Sequence, residues 1–156
     1  MLTEAGKEWV VDATGCTPDA LRDLPRLQGI VALLVSELRL TVVGTPQWHV
    51  FPGEAGVTGL ALLAESHVAV HTFPELGLAT FNLYCCRPRA PWPWQPRLME
   101  LLGADLVTVR ELERGEHTPR ATQPHPPPSS IGREPAFAFE SSSPAAAARS
   151  KGEALP

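Results

Sequence analysis

The run ALLAESHVAVHTFPELG, residues 61–77, sets a carboxylate, a hydroxyl and two imidazoles into apolar surroundings. Glu65, Ser66 and His67 are consecutive, and His71 follows five residues after the serine. A serine with histidines close by has the composition of a nucleophile and its base, and hydrolysis is the first chemistry it suggests. A hydrolase serine, however, stands on a G-x-S-x-G strand-to-helix elbow. Here Ala64-Glu65 precedes Ser66, His67-Val68 follows it, and another β-prone run comes next. A metal site built from His67, His71 and Cys86 is the second possibility. Two histidines four apart on a strand share a face but lie about 13 Å apart by the strand rise, too far for one ion unless the strand bends. The third is a polar cluster whose side chains satisfy one another within a sheet.

The elements that must hold these residues are legible in the patterning. Trp9 to Thr14 is β-prone and stops at Gly15. Thr17, Pro18 and Asp19 then form a helix start, as N-cap, first position and first-turn acid. Leu21, Leu24, Leu27, Val31, Leu34, Val35 and Leu38 recur at helical steps, with Pro25 and Gly29 weakening the front and moving the start toward Leu24. Thr41–Val43 and Gln47–Phe51 are short β-prone runs. Three further strands are predicted at Gly59–Ala64, His67–Thr72 and Leu78–Cys85, the last two divided by a Pro74–Gly77 turn. A helix over Pro93–Leu102 and a strand over Asp105–Leu112 complete the set. The order predicts an α+β two-layer sandwich, a mostly antiparallel sheet with two helices on one face.

Composition sets the outer limits. The chain has 156 residues, 44% of them hydrophobic, which suits one domain over 1–115. From about Glu116 the sequence turns to Pro, Ser and Ala, too little apolar surface to offset ordering entropy, so 116–156 reads as a disordered tail. A net charge of −4 and only two lysines, Lys7 and Lys151, argue against a nucleic-acid partner. No apolar run approaches the roughly 20 residues of a membrane span, and the N-terminus lacks a secretory leader. Three cysteines, Cys85 and Cys86 adjacent, read as free thiols of a cytoplasmic protein. Cys16 and Cys85 read as small buried hydrophobes.

With these elements in view, GVTGLALLAESHVAVHTFPELGLATFNLYCC, residues 56–86, resembles the prokaryotic S-adenosylmethionine decarboxylase proenzyme family. The resemblance rests on Gly56-Val57-Thr58-Gly59, on Glu65-Ser66-His67, on His71-Thr72-Phe73-Pro74-Glu75, and on Cys86 twenty residues beyond the serine; it extends from about Gly6 to Gly115. It implies that Ser66 attacks the Glu65 carbonyl in an N→O acyl shift, and that β-elimination and hydrolysis then leave a pyruvoyl group at 66 and a second chain, 1–65. That ketone would form a Schiff base with the substrate and take the place of pyridoxal phosphate, with no metal. By the family's pattern His71 is the processing base, Thr58 the assisting hydroxyl and Cys86 the general acid. Phe73, Phe51 and Glu75 would border the substrate, S-adenosylmethionine, and processed protomers would pair as a homodimer. Two departures bear on the substrate: Phe73 replaces a tryptophan, and one extra residue separates Phe51 from Thr58. Arginine or ornithine is the alternative substrate, and a non-catalytic partner subunit the alternative role.

Overall fold

Nine residues of alternating burial, Gly6–Thr14, make the first strand, β1. It begins three residues earlier than its β-prone centre because it is paired on both sides, with β5 (Leu78–Cys85) and with β6 (Leu106–Arg114). The computed structural model describes residues 6–115; the Pro- and Ala-rich stretch read as a tail lies outside them. The predicted long helix is two. A five-residue turn of helix, α1 (Pro18–Arg22), is followed by α2 (Leu24–Glu37). Asp23 makes the break: its side chain caps α2 by accepting from Arg26 N–H at 3.0 Å, and Pro25 occupies the first turn, where a missing N–H costs nothing. Thr17 makes no side-chain cap. Thr41–Val43 makes a single bridge to the sheet, Val42 to Leu63, held by Val43 N–H on the Leu62 carbonyl and Ala64 N–H on the Thr41 carbonyl, both at 2.9 Å.

Strands β2 (Gln47–Val50), β3 (Val57–Leu63), β4 (Ser66–Phe73), β5, β1 and β6 form one sheet in the order β2-β3-β4-β5-β1-β6, every neighbouring pair antiparallel. Alternation divides its side chains. Val57, Ala61, Val68, Val70, Phe81, Leu83, Trp9 and Val11 are buried and share one core with Leu27, Ile30 and Leu34 of α2 and with Leu98 and Leu102 of α3 (Trp94–Leu102). The α+β two-layer architecture is thus the expected one, with three helices in place of two.

The other face carries Thr58, Leu60, Leu62, His67, Ala69, His71, Asn82, Tyr84, Glu8 and Val10, and no described element covers it. Leu60 and Leu62 are 50% and 59% exposed there.

Two close approaches explain the glycines of the GVTG motif. A Cβ on Gly59 would fall 2.3 Å from the Trp48 ring, and one on Gly56 would fall 2.6 Å from the Thr72 carbonyl. Thr72 itself is buried; its hydroxyl accepts from Val57 N–H and donates to the Leu21 carbonyl, both at 2.8 Å, tying α1 to β3. Thr72→Val strands both groups and should lower stability by roughly 2–4 kcal/mol, seen as a lower urea midpoint with an unchanged slope.

Candidate active site

The β3–β4 hairpin turns on Ala64 and Glu65, so the Glu65–Ser66 peptide bond lies at its tip, where Leu63 pairs with Ser66. The Ser66 hydroxyl is buried with no nitrogen or oxygen partner, and only the weakly bonding Cys85 thiol stands against it. Such a poorly satisfied oxygen calls for an explanation, and a reactive role is one of the few available. Directly across the ladder stands Cys85. Burial pushes its thiol up, and the nearby Ser66 hydroxyl and Arg89 charge oppose that only in part, so the thiol stays protonated at neutral pH. Cys86, one residue on, is exposed; its N–H donates to the Glu65 carbonyl oxygen at 2.9 Å. The Glu65 carboxylate meets Arg87 Nε at 3.1 Å and Arg89 Nη2 at 3.3 Å.

A second group of residues gathers at the far end of β4. Thr58 and His71 are register partners, and Thr58 Oγ1 lies 2.9 Å from His71 Nδ1. They line a cavity of about 360 Å³ together with Phe51, Glu54, Phe73 and Glu75, within the usual size of small-molecule sites. Phe51 and Phe73 stand on it half-exposed, at 49% and 38%. Between Phe51 and Thr58 the chain makes a turn in which Phe51 N–H reaches the Gly56 carbonyl at 2.8 Å and Ala55 takes a φ of 57°. Arg22 braces this loop, donating from Nε to the Glu54 carbonyl at 3.0 Å and pairing with its carboxylate at 3.1 Å.

The structure therefore brings Thr58, His71, Phe51, Phe73 and Glu75 together, and separately Glu65, Ser66 and Cys86. Within one chain β4 keeps the groups apart: the five residue steps from Ser66 to His71 amount to about 16 Å. By alternation His71, Thr58 and Cys86 belong to the uncovered face, at its two ends. Among the described residues no cluster of His, Cys, Asp and Glu suits a metal ion, and no helix is long and apolar enough to cross a membrane.

Residues 7–115 match the family S-adenosylmethionine decarboxylase. The chain belongs to the S-adenosylmethionine decarboxylase family. It is 33% identical over 115 residues to the S-adenosylmethionine decarboxylase proenzyme of Methanococcus vannielii, covering 73% of this chain and 93% of that one. It is 31% identical over 121 residues to the proenzyme of Pyrococcus furiosus, covering 77% and 86%. The crystal structure of the adenosylmethionine decarboxylase from Aquifex aeolicus superposes with a TM-score of 0.62 at 25% identity, over 77% of this chain and 98% of that one.

Sequence reasoning did not place four neighbours of the candidate site, although Cys85 is buried as expected. Cys85 faces Ser66, a pairing that follows from register once the Pro74–Gly77 turn is fixed. Arg87 and Arg89 looked like scattered cations. Glu54 reads as a loop residue and carried no signal.

Proposed function

We propose that this chain is a self-processing, pyruvoyl-dependent decarboxylase of S-adenosylmethionine, supplying the aminopropyl donor for spermidine synthesis from the cytoplasm. The buried, poorly satisfied Ser66 hydroxyl at a hairpin tip is the observation that carries the reading. Ser66 Oγ adds to the Glu65 carbonyl carbon, and the peptide C–N bond gives way to an ester and a free amine. The Cys86 N–H already points at the oxygen that becomes negative. A base then removes the residue-66 Cα proton, the ester leaves as the new Glu65 carboxylate, and water releases ammonia.

His71 is that base. The 2.9 Å contact of Nδ1 with Thr58 Oγ1 suits the tautomer that carries its proton on Nδ1, which leaves Nε2 to take a proton. It serves from a second copy of the chain. A two-fold axis lying between two uncovered faces and running across the strands sets the Ser66 end of one β4 against the His71 end of the other and covers Leu60 and Leu62.

The pyruvoyl ketone, once formed at 66, supplies the electron sink for loss of carbon dioxide. Phe51 and Phe73 offer aromatic faces for the nucleoside and for a sulfonium cation, Glu75 offers a carboxylate acceptor, and Cys86 delivers a proton to the substrate carbon. Phe73→Trp enlarges that face and should lower KM for S-adenosylmethionine by roughly 2- to 10-fold, with kcat moving less. Cys86→Ala should still split but turn over about 10²- to 10⁴-fold more slowly; normal turnover would remove Cys86 from the acid's role. Mass spectrometry of the folded chain tests the whole reading. Fragments 1–65 and 66–156, with carbon dioxide released from S-adenosylmethionine in preference to arginine or ornithine, are expected; an intact chain would sink it.

A further inference from the structure

Two arginines just after β5 take no part in the chemistry above, yet both converge on the residue whose carbonyl is attacked. Glu65 is gripped at two levels by one short segment. Cys86 N–H holds its main-chain oxygen at 2.9 Å, and Arg87 and Arg89 hold its carboxylate at 3.1 and 3.3 Å. Arg89 also donates from Nη1 to the Leu38 carbonyl at 3.4 Å, at the C-cap of α2, which anchors the grip to the helical layer rather than to the hairpin. The contacts are unequal. Arg89 and Glu65 side chains are 28% and 29% exposed, whereas Arg87 is 67% exposed and correspondingly screened.

We propose that Arg89, with a smaller contribution from Arg87, is a positioning residue for self-cleavage. By fixing the Glu65 carboxylate it keeps the Glu65 carbonyl on the Cys86 N–H while Ser66 Oγ approaches. This rests on the self-processing reading and adds to it a second effect, on charge. In the first step the Oγ–C bond forms, the C–N bond breaks, and the hydroxyl proton ends on the released amine. The carbonyl oxygen is negative in between. In the second step the Cα proton goes to the base and the Cβ–O bond breaks toward oxygen, so Glu65 departs with a second carboxylate. Negative charge grows at Glu65 in both steps, and two fixed guanidiniums beside it favour that growth. The same pair then holds the end of chain 1–65.

The test is the rate at which freshly folded full-length chain splits, followed by mass spectrometry. Arg89→Ala should slow splitting by roughly 10- to 100-fold, the scale expected when a reacting group is mispositioned. Arg89→Lys should recover part of the loss, and Arg87→Ala should cost less. Glu65→Gln should slow splitting comparably, and the Glu65→Gln/Arg89→Ala double variant should be no slower than the worse single one. Raising salt should slow the wild type and leave Glu65→Gln unaffected. Unfolding midpoints measured in a Ser66→Ala background, where nothing splits, separate a folding defect from a rate effect. Wild-type splitting in Arg89→Ala, or losses that multiply in the double variant, would overturn the proposal while leaving self-processing intact. An unsplit wild type would instead remove the reading on which it rests.

Discussion

Ser66→Ala is expected to abolish cleavage outright and, with it, all decarboxylation. The variant should run as one chain of 156 residues, whereas the wild type gives two, the larger lacking a free amino terminus and adding one mass of a carbonyl-trapping reagent such as hydroxylamine. The effect is total because alanine has no oxygen with which to accept the Glu65 acyl group, and nothing nearby substitutes for it. Cys85, the side chain directly opposite, is a thiol that burial keeps protonated. Cys86 is exposed, and its own N–H is what engages the Glu65 carbonyl. Folding should survive. The Ser66 hydroxyl has only the Cys85 thiol, a weak partner, for the substitution to remove, and losing a poorly satisfied buried oxygen costs little. Thermal unfolding of Ser66→Ala within about 0.5 kcal/mol of an uncleavable reference, such as a chain trapped before processing, would fit. A Ser66→Ala chain that still decarboxylates would end the pyruvoyl reading, whatever its fragments.

Much of the fold was legible because its signals are local. The Leu78–Cys85 strand was read to the residue, since Gly77 at φ 59° ends the turn before it and alternation runs unbroken to Cys85. The split of the long helix at Asp23 was only half visible: Pro25 signalled a disturbed start, but the same leucine spacing continues through both helices, so periodicity alone could not locate the break. Val42 failed as a strand because a single bridge was all that the sheet edge offered it. The site divides in the same way. Residue types picked out Ser66 and His71, and the family resemblance added Thr58, Phe51, Phe73 and Glu75, yet neither says which of them meet. That depends on strand length and face, and here an eight-residue β4 sends Ser66 and His71 to opposite ends. The arginine grip on Glu65 was invisible because it depends on where the chain goes after leaving β5.

That separation leads to the second large effect, complementation between two inactive chains. His71→Ala, alone, should fail to complete elimination, and Ser66→Ala, alone, cannot begin. Produced together they should regain cleavage, and the chain that splits should be the one carrying His71→Ala. The reasoning is geometric. Each copy has a Ser66 end and a His71 end about 16 Å apart on one strand, with Cys86, Thr58 and His71 facing the same uncovered side. In a mixed pair one composite site joins the intact Ser66 of one chain to the intact His71 and Thr58 of the other, while the second site lacks both groups. If pairing is random, half of all dimers are mixed and each holds one working site, so about a quarter of wild-type activity is expected. Distinguishable tags on the two chains identify which fragment appears, and titrating one chain against a fixed amount of the other should give a maximum near equal amounts. Leu60→Asp or Leu62→Asp, placing a charge on the face that is to be buried, should abolish the rescue and leave a monomer by sedimentation. Were cleavage absent from every mixture although mixed dimers form, Ser66 would have to draw its base from its own chain, and His67, the next residue and already stacked near Tyr84 at 5.7 Å, would be the group left to supply it.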